Sequence, residues 1–432
     1  MSESKSPLGV LSATTLVAAS MIGVGVYTTS GFTLAALGTP SRVIAAWIVG
    51  GLIAICGAIG YGSLASRFTE SGGEYLFLSR TLHPVAGLMA GWVSLLAGFT
   101  GAIAIAALGL EKYLVPLLFE TSSVIPVGSL AIAVVLLAAV MHTIGVRSAA
   151  IVQDIVVVLK LLMIGGFVLY AIAKVGDWEG VTAAPVDVAA FSLWDFAAQL
   201  VWISFSYAGF NAAVYVASEI RDPARNVPRA LVGGTVLVTL LYVLLNAIFV
   251  LAAPVNVITG DRIALVAGTA AVALGGETFA NLVRAVIVIS LCTSVSALIM
   301  TGPRVYAKMA DDGFFPKLFR FEGRPPVVAI WFQAILACIA IWFSDLQILL
   351  GYLGLTLSVC SALTVSMLFV LKYRGEEIRL PFYGIAPAIF VIGTLLIAGM
   401  YAVSEPRQAI ATGLTIVTGV VVYPFVSKRI AS

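Results

Sequence analysis

Long apolar stretches, separated by short polar segments, follow one another along the whole chain. They lie at roughly 8–34, 41–65, 84–113, 125–145, 149–173, 194–218, 229–253, 279–307, 327–344, 347–371, 382–402 and 407–427. A transmembrane helix needs about 20 apolar residues, so the pattern predicts an all-α membrane protein with twelve spans. Two stretches depart from it. The first carries no charge from Ser6 to Ser41, yet its centre reads Met21-Ile22-Gly23-Val24-Gly25-Val26-Tyr27. Paired glycines make poor helix, and unwound backbone at membrane depth is tolerated only where it lines a cavity or is buried in protein. The sixth, uncharged from Phe196 to Ser218, reads Ser204-Phe205-Ser206-Tyr207-Ala208-Gly209-Phe210-Asn211 at its middle. These two stretches are five spans apart. Interrupted helices in corresponding positions of two halves point to a transporter with inverted repeats.

Composition sharpens this reading. Of 432 residues, 61% are hydrophobic and 10% charged, which excludes a soluble globular domain. The first apolar run is too long for a cleavable signal peptide and is expected to act as an uncleaved anchor. With the chain start inside, the outer loops hold only Arg42, Lys112, Lys174, Arg262 and Arg407. Every other lysine and arginine faces inward except Lys160 and Arg284, which fall within spans. The positive-inside rule then places both termini in the cytoplasm, and an even number of spans satisfies it. This basic excess is a topology signal and implies no nucleic-acid partner. Cys56, Cys292, Cys338 and Cys360 all fall in predicted spans, as packing residues rather than a disulfide framework. His83 and His142 are far apart, and no metal-ligand spacing, P-loop or nucleophile elbow is present. Neither enzyme chemistry nor a metal or cofactor is expected, so pumping would be driven by an ion or an exchanged solute.

The candidate chemistry follows from the breaks. An interrupted helix offers free N–H groups on one half and free C=O groups on the other. The N–H end suits a carboxylate and the carbonyls suit an ammonium or a metal ion, and a zwitterionic α-amino acid presents both a carboxylate and an ammonium. A helix–helix contact of the GxxxG kind is the alternative for the glycines, although the G-x-G spacing is wrong for it. Lys160 lies near the centre of the fifth stretch, where insertion costs roughly 2.5–3.5 kcal/mol and a functional role is the default. It can carry a proton or stand as a fixed cation; the alternative is a structural lysine bonded to carbonyls. The eighth stretch carries Ser290, Thr293, Ser294 and Ser296. The first three are candidates to coordinate an ion or bond the Lys160 ammonium, whereas Ser296 is read as bonding a carbonyl one turn back. Among the aromatics, Phe205 is the candidate gate, ahead of Tyr207 and Trp202.

Four segments resemble the amino acid–polyamine–organocation (APC) superfamily. They are Met21–Tyr27; Arg67-Phe68-Thr69-Glu70-Ser71-Gly72-Gly73-Glu74-Tyr75, similar to its Ser-Gly-Gly-x-Tyr loop; Tyr207–Asn211 with the exit loop Ser218–Arg229; and Arg304–Pro316. The resemblance implies the leucine-transporter-type five-plus-five fold, with helices 1 and 6 unwound at the midplane. The first repeat would span residues 1–174, the second 194–372, and two further helices 373–432. It implies that the substrate carboxylate meets the amides around Ile22, Gly23, Val24 and Gly25, and the ammonium meets carbonyls near Phe205, Ser206 and Ala208. It also implies that Lys160 replaces sodium between the first and eighth helices. Asn211 departs from the acidic residue that many members use in proton-linked arginine exchange. The outer loop 114–124 has no cysteine, so no disulfide-linked heavy chain is expected, and the assembly expected is a monomer or homodimer. The function expected is sodium-independent secondary transport of L-amino acids, with neutral substrates favoured, by exchange or proton coupling across the plasma membrane. A non-transporting amino-acid sensor and a small-solute channel are the alternatives.

Overall fold

A computed structural model describes residues 8–119, 126–144, 149–174, 176, 178, 190–261, 263–320, 327–378 and 384–427; the side chains of 149–157, 425 and 427 are not described. Part of the expected loop 114–124 therefore lies outside the described residues. The described chain is helical, with a single isolated bridge, Leu8 beside Ile220. Helices occupy each of the apolar stretches. They are α1 (Val10–Met21), α2 (Val24–Leu37), α3 (Pro40–Arg67), α4 (Gly73–Thr81), α5 (Pro84–Val93), α6 (Ala102–Leu118), α7 (Ser129–Ile144), α8 (Ala149–Ala173) and α9 (Leu193–Ser206). They continue as α10 (Pro223–Leu251), α11 (Val266–Asp311), α12 (Val327–Phe343), α13 (Leu346–Tyr373), α14 (Ile385–Ser404) and α15 (Pro406–Ser427).

Among the described residues, six helices are long and apolar enough to cross a bilayer, α5 and α6 counting as one rod. The pair α1 and α2 passes the same test together, bent by 43° at the break between them. Shorter apolar helices occupy Ser129–Ile144, Val158–Ala173 and Val327–Phe343. The chain is an integral, multi-pass membrane protein. Its surface carries many large apolar side chains, such as Leu52, Leu137 and Leu396, each well over half exposed. A water-soluble protein would not present them along whole helix faces. The interior instead holds small residues and aromatics, among them Trp47, Tyr61, Tyr113, Tyr207 and Tyr242.

Local sequence fixes many of the ends. Thr39 accepts from the Arg42 amide, with Pro40 next to it, to start α3, and Asp345 accepts from the Ile348 amide at 2.8 Å to start α13. Gly38, with φ 77°, ends α2, a position where other residues are strained. The buried carboxylate of Glu111 accepts from the amides of Gly128 and Ala131 at 2.6 and 2.9 Å, so a charge within the bundle caps the amino end of α7. Between α5 and α6 the rod widens into a π-helical stretch, Ser94–Gly101. The segment before the eighth apolar stretch is itself helical from Val266. It joins the rest of α11 through Gly276, whose φ of 73° breaks the helix there.

Candidate functional site

The first interruption is short. Only Ile22 and Gly23 separate α1 from α2, and both are extended, Ile22 at φ −74°, ψ 91° and Gly23 at φ −128°, ψ −158°. With glycine at the N-cap, no side chain there covers the first amides of α2, which carry the partial positive charge of a helix start. The carbonyls on the other side of the break are claimed from a distance. Tyr242 on α10 donates to the Met21 carbonyl at 2.6 Å. Lys160 on α8, buried with 4% of its surface exposed, donates to the carbonyl of Ile22. One turn further on, Tyr113 on α6 donates to the Tyr27 carbonyl at 2.6 Å.

The second interruption follows α9. The helix ends at Ser206, the chain turns through Tyr207–Asn211, and a 3-10 segment runs over Ala212–Glu219. The turn holds itself together: the Ala208 amide donates to Phe205 O at 2.9 Å, and the Ala212 amide to Gly209 O at 2.9 Å. Gly209 sits at φ 98°.

The two interruptions cross. A Cβ on Gly25 would lie 2.9 Å from Ser206 Cα, closer than non-bonded carbons approach. A Cβ on Gly209 would lie 2.7 Å from the Ser20 carbonyl oxygen and 3.1 Å from Met21 N. Glycine at each place lets two backbones touch. Thr29 Oγ1 and Ser206 Oγ are 3.3 Å apart. Around this crossing, Trp47, Tyr207 and Tyr242 form an aromatic cluster, with the Tyr207 and Tyr242 rings 5.2 Å apart. Beside it a buried polar chain runs from Trp47 Nε1 to Ser30 Oγ (2.8 Å) and from Ser30 Oγ to Asn246 Oδ1.

The predicted residues thus fall into two sets. Ile22, Gly23, Val24, Gly25, Phe205, Ser206 and Ala208 belong to the crossing, and Lys160 reaches it. Phe205 is half-buried and packs on the core, and Trp202 stands edge-on to Phe32 with its indole N–H on Tyr401. The hydroxyl trio of α11 behaves differently. Thr293 and Ser294 donate to the Ser290 carbonyl at 2.7 and 3.1 Å, while Ser290 itself is buried beside the Tyr27 hydroxyl. Ser296, read from sequence as bonding within its own helix, instead meets His142 Nε2 at 2.8 Å. A cavity of about 460 Å³ lies between the end of α10 and the start of α11, lined by Asp261, Glu277 and Arg284 among others; none of the predicted substrate residues lines it. Sequence reasoning missed Tyr242, Tyr113 and Thr29. A tyrosine in an apolar stretch looks like packing, and nothing local marks the carbonyl it reaches.

Comparison with known proteins gives a consistent picture. The family model described as amino acid permease matches residues 8–425. The serine/threonine exchanger SteT of Bacillus subtilis (strain 168) is 27% identical over 440 residues, covering 99% of this chain and 98% of that protein. The human large neutral amino acids transporter small subunit 2 is also 27% identical, covering 97% of this chain and 80% of that protein. The mouse b(0,+)-type amino acid transporter 1 is 24% identical, covering 96% and 87%.

Proposed function

This chain belongs to the amino acid permease family of the APC superfamily and transports amino acids, and from that premise we propose that it exchanges neutral L-amino acids across the plasma membrane without sodium. In this reading the twelve helical stretches all cross the bilayer, both termini face the cytoplasm, and residues 1–174 and 194–372 form two inverted repeats followed by two further helices. The crossing of the two interruptions is the substrate site. The amides at Ile22–Gly25 take the carboxylate, the carbonyls near Phe205, Ser206 and Ala208 take the ammonium, and Phe205 closes over the bound solute. Alternating access then rocks one bundle about this point.

One observation carries the proposal: two helix interruptions from distant parts of the chain touch, Gly25 on Ser206 and Gly209 on Ser20, and a buried lysine, which we read as a cation, brings its amine to the same place. That cation, held on the Ile22 carbonyl, does the work that a bound sodium ion would do, so transport needs none. Ser290, Thr293 and Ser294 stand on the facing helix, where hydroxyls can receive the ammonium when it leaves Ile22. The names of the bacterial and human relatives, a serine/threonine exchanger and a large neutral amino acids transporter, support neutral side chains.

Purified protein in liposomes tests this. Loading the vesicles with unlabelled serine, threonine or leucine should stimulate saturable uptake of the labelled amino acid, equally in sodium and potassium media. Uptake that requires sodium, or single-channel current, would overturn the proposal; saturable binding without flux would favour a sensor.

A further inference from the structure

The Ser-Gly-Gly-x-Tyr segment between α3 and α4 takes no part in the substrate site, yet each of its polar side chains reaches another part of the fold. Ser71 Oγ lies 2.6 Å from Ser218 Oγ and accepts from the Ser218 amide at 3.1 Å. Gly72 and Gly73 both have positive φ, 154° and 57°. A Cβ on Gly73 would fall within 2.8 Å of the Tyr215 ring, so the glycines seat the start of α4 against the segment that follows the second interruption. Tyr75 donates to Asp312 Oδ2 at 2.8 Å, at the end of α11.

Glu74 is the centre of this arrangement. Its side chain is buried, with 6% exposed, and three neutral donors converge on its carboxylate. Tyr61 on α3 donates to Oε1 at 2.8 Å, Asn211 donates to Oε1 at 2.6 Å, and Tyr215 donates to Oε2. Among the described residues no ion pair includes it. Asn211 and Tyr215 follow directly after the carbonyls assigned to the substrate ammonium. Cys360 on α13, its thiol buried and free, is within electrostatic reach of Glu74 and Tyr61. On the same side Leu8 exchanges backbone hydrogen bonds with Glu219 and Arg221 at 2.8 and 2.9 Å.

A buried anion whose lone pairs are met only by donors from other elements is costly to uncover piecemeal, because each donor that leaves takes a charge-assisted bond with it. We propose that Glu74 is a positioning residue for transport: its carboxylate latches the segment after the second interruption onto the α3–α4 turn and so holds the cytoplasmic exit shut. This rests on the alternating-access reading above. When the latch parts, Asn211 and Tyr215 swing away from Glu74, and the wall containing Cys360 opens to the cytoplasm.

The test combines accessibility with sidedness. In a background keeping Cys360 and lacking the other three cysteines, a membrane-impermeant charged maleimide is applied from the cytoplasmic side. Glu74→Ala should label at least about tenfold faster than the parent, as expected for losing hydrogen bonds to a charged group. In exchange assays the half-saturation concentration should rise on the outer side and fall on the inner side, since an affinity scales with the fraction of molecules open to that side. Glu74→Gln, which keeps an acceptor, should fall between. A merely structural role would lower the maximal rate without opposite shifts on the two sides. Unchanged labelling, or half-saturation values that move together, would overturn the proposal. Should Glu74→Ala fail to fold, Asn211→Ala and Tyr215→Phe each remove one donor and carry the same test. Counterflow by the unaltered protein checks the transport reading separately.

Discussion

The two interruptions are built on opposite principles. The second is self-contained: its turn bonds to itself through Ala208 on Phe205 and Ala212 on Gly209, and Gly209 supplies the positive φ. The first makes almost nothing of its own. Two residues separate its helices, and the carbonyls it frees are held by Tyr242 from α10 and Lys160 from α8. A local turn keeps its shape whatever the surrounding helices do, whereas a break held by distant side chains changes as soon as those helices move. The second interruption is therefore able to move as one piece, whereas the first registers the state of the bundle through its distant partners.

Substitutions can break or sharpen this contrast. The largest effect is expected where the two meet. Gly25→Val drives a branched side chain into Ser206, and overpacking of about 1–3 kcal/mol at the point of contact should cut exchange roughly 100-fold in protein that still inserts and purifies as a single species. Near-normal exchange would mean that the two backbones need not touch. Lys160→Ala comes next. Losing a hydrogen bond from a charged group costs about 1.5–3 kcal/mol, so counterflow should fall about 10- to 100-fold. Wild-type rates would make the first break as locally determined as the second. Tyr242→Phe removes one neutral hydrogen bond to Met21, worth about 0.5–1.5 kcal/mol, and should slow exchange about 3- to 10-fold. Thr29→Val removes only the 3.3 Å contact with Ser206. It should change initial uptake by no more than about twofold, as for a weak neutral bond, and a larger loss would make Ser206 part of the moving half.

The sequence spoke clearly wherever lipid leaves few options. Uncharged stretches of this length have to be helical to satisfy their own backbone, and helices occupy them. Lys160 was conspicuous as a lysine near the centre of one of these stretches. What stayed hidden was partnership. Nothing near Gly25 names Ser206, and nothing near Lys160 names Ile22, because the contacts join segments far apart in the chain. The hydroxyls of α11 show the same limit: Thr293 and Ser294 bond the Ser290 carbonyl, while Ser296, read as bonding within its own helix, meets His142. Glu74 went unread because a carboxylate in a short connecting loop looks solvated, and only the fold reveals that Tyr61, Asn211 and Tyr215 enclose it.

The widened stretch Ser94–Gly101 has a consequence for everything beyond it in the same rod. A π turn contains one residue more than an α turn, and each residue of an α-helix advances the face by about 100°. Removing a single residue from it would swing α6 about its own axis by that angle. Gly109 would then leave Val24, against which it now packs, and Tyr113 would lose the Tyr27 carbonyl. The surplus residue is a phase setting, and natural or engineered deletions in this rod should be tolerated only when compensated before Gly109.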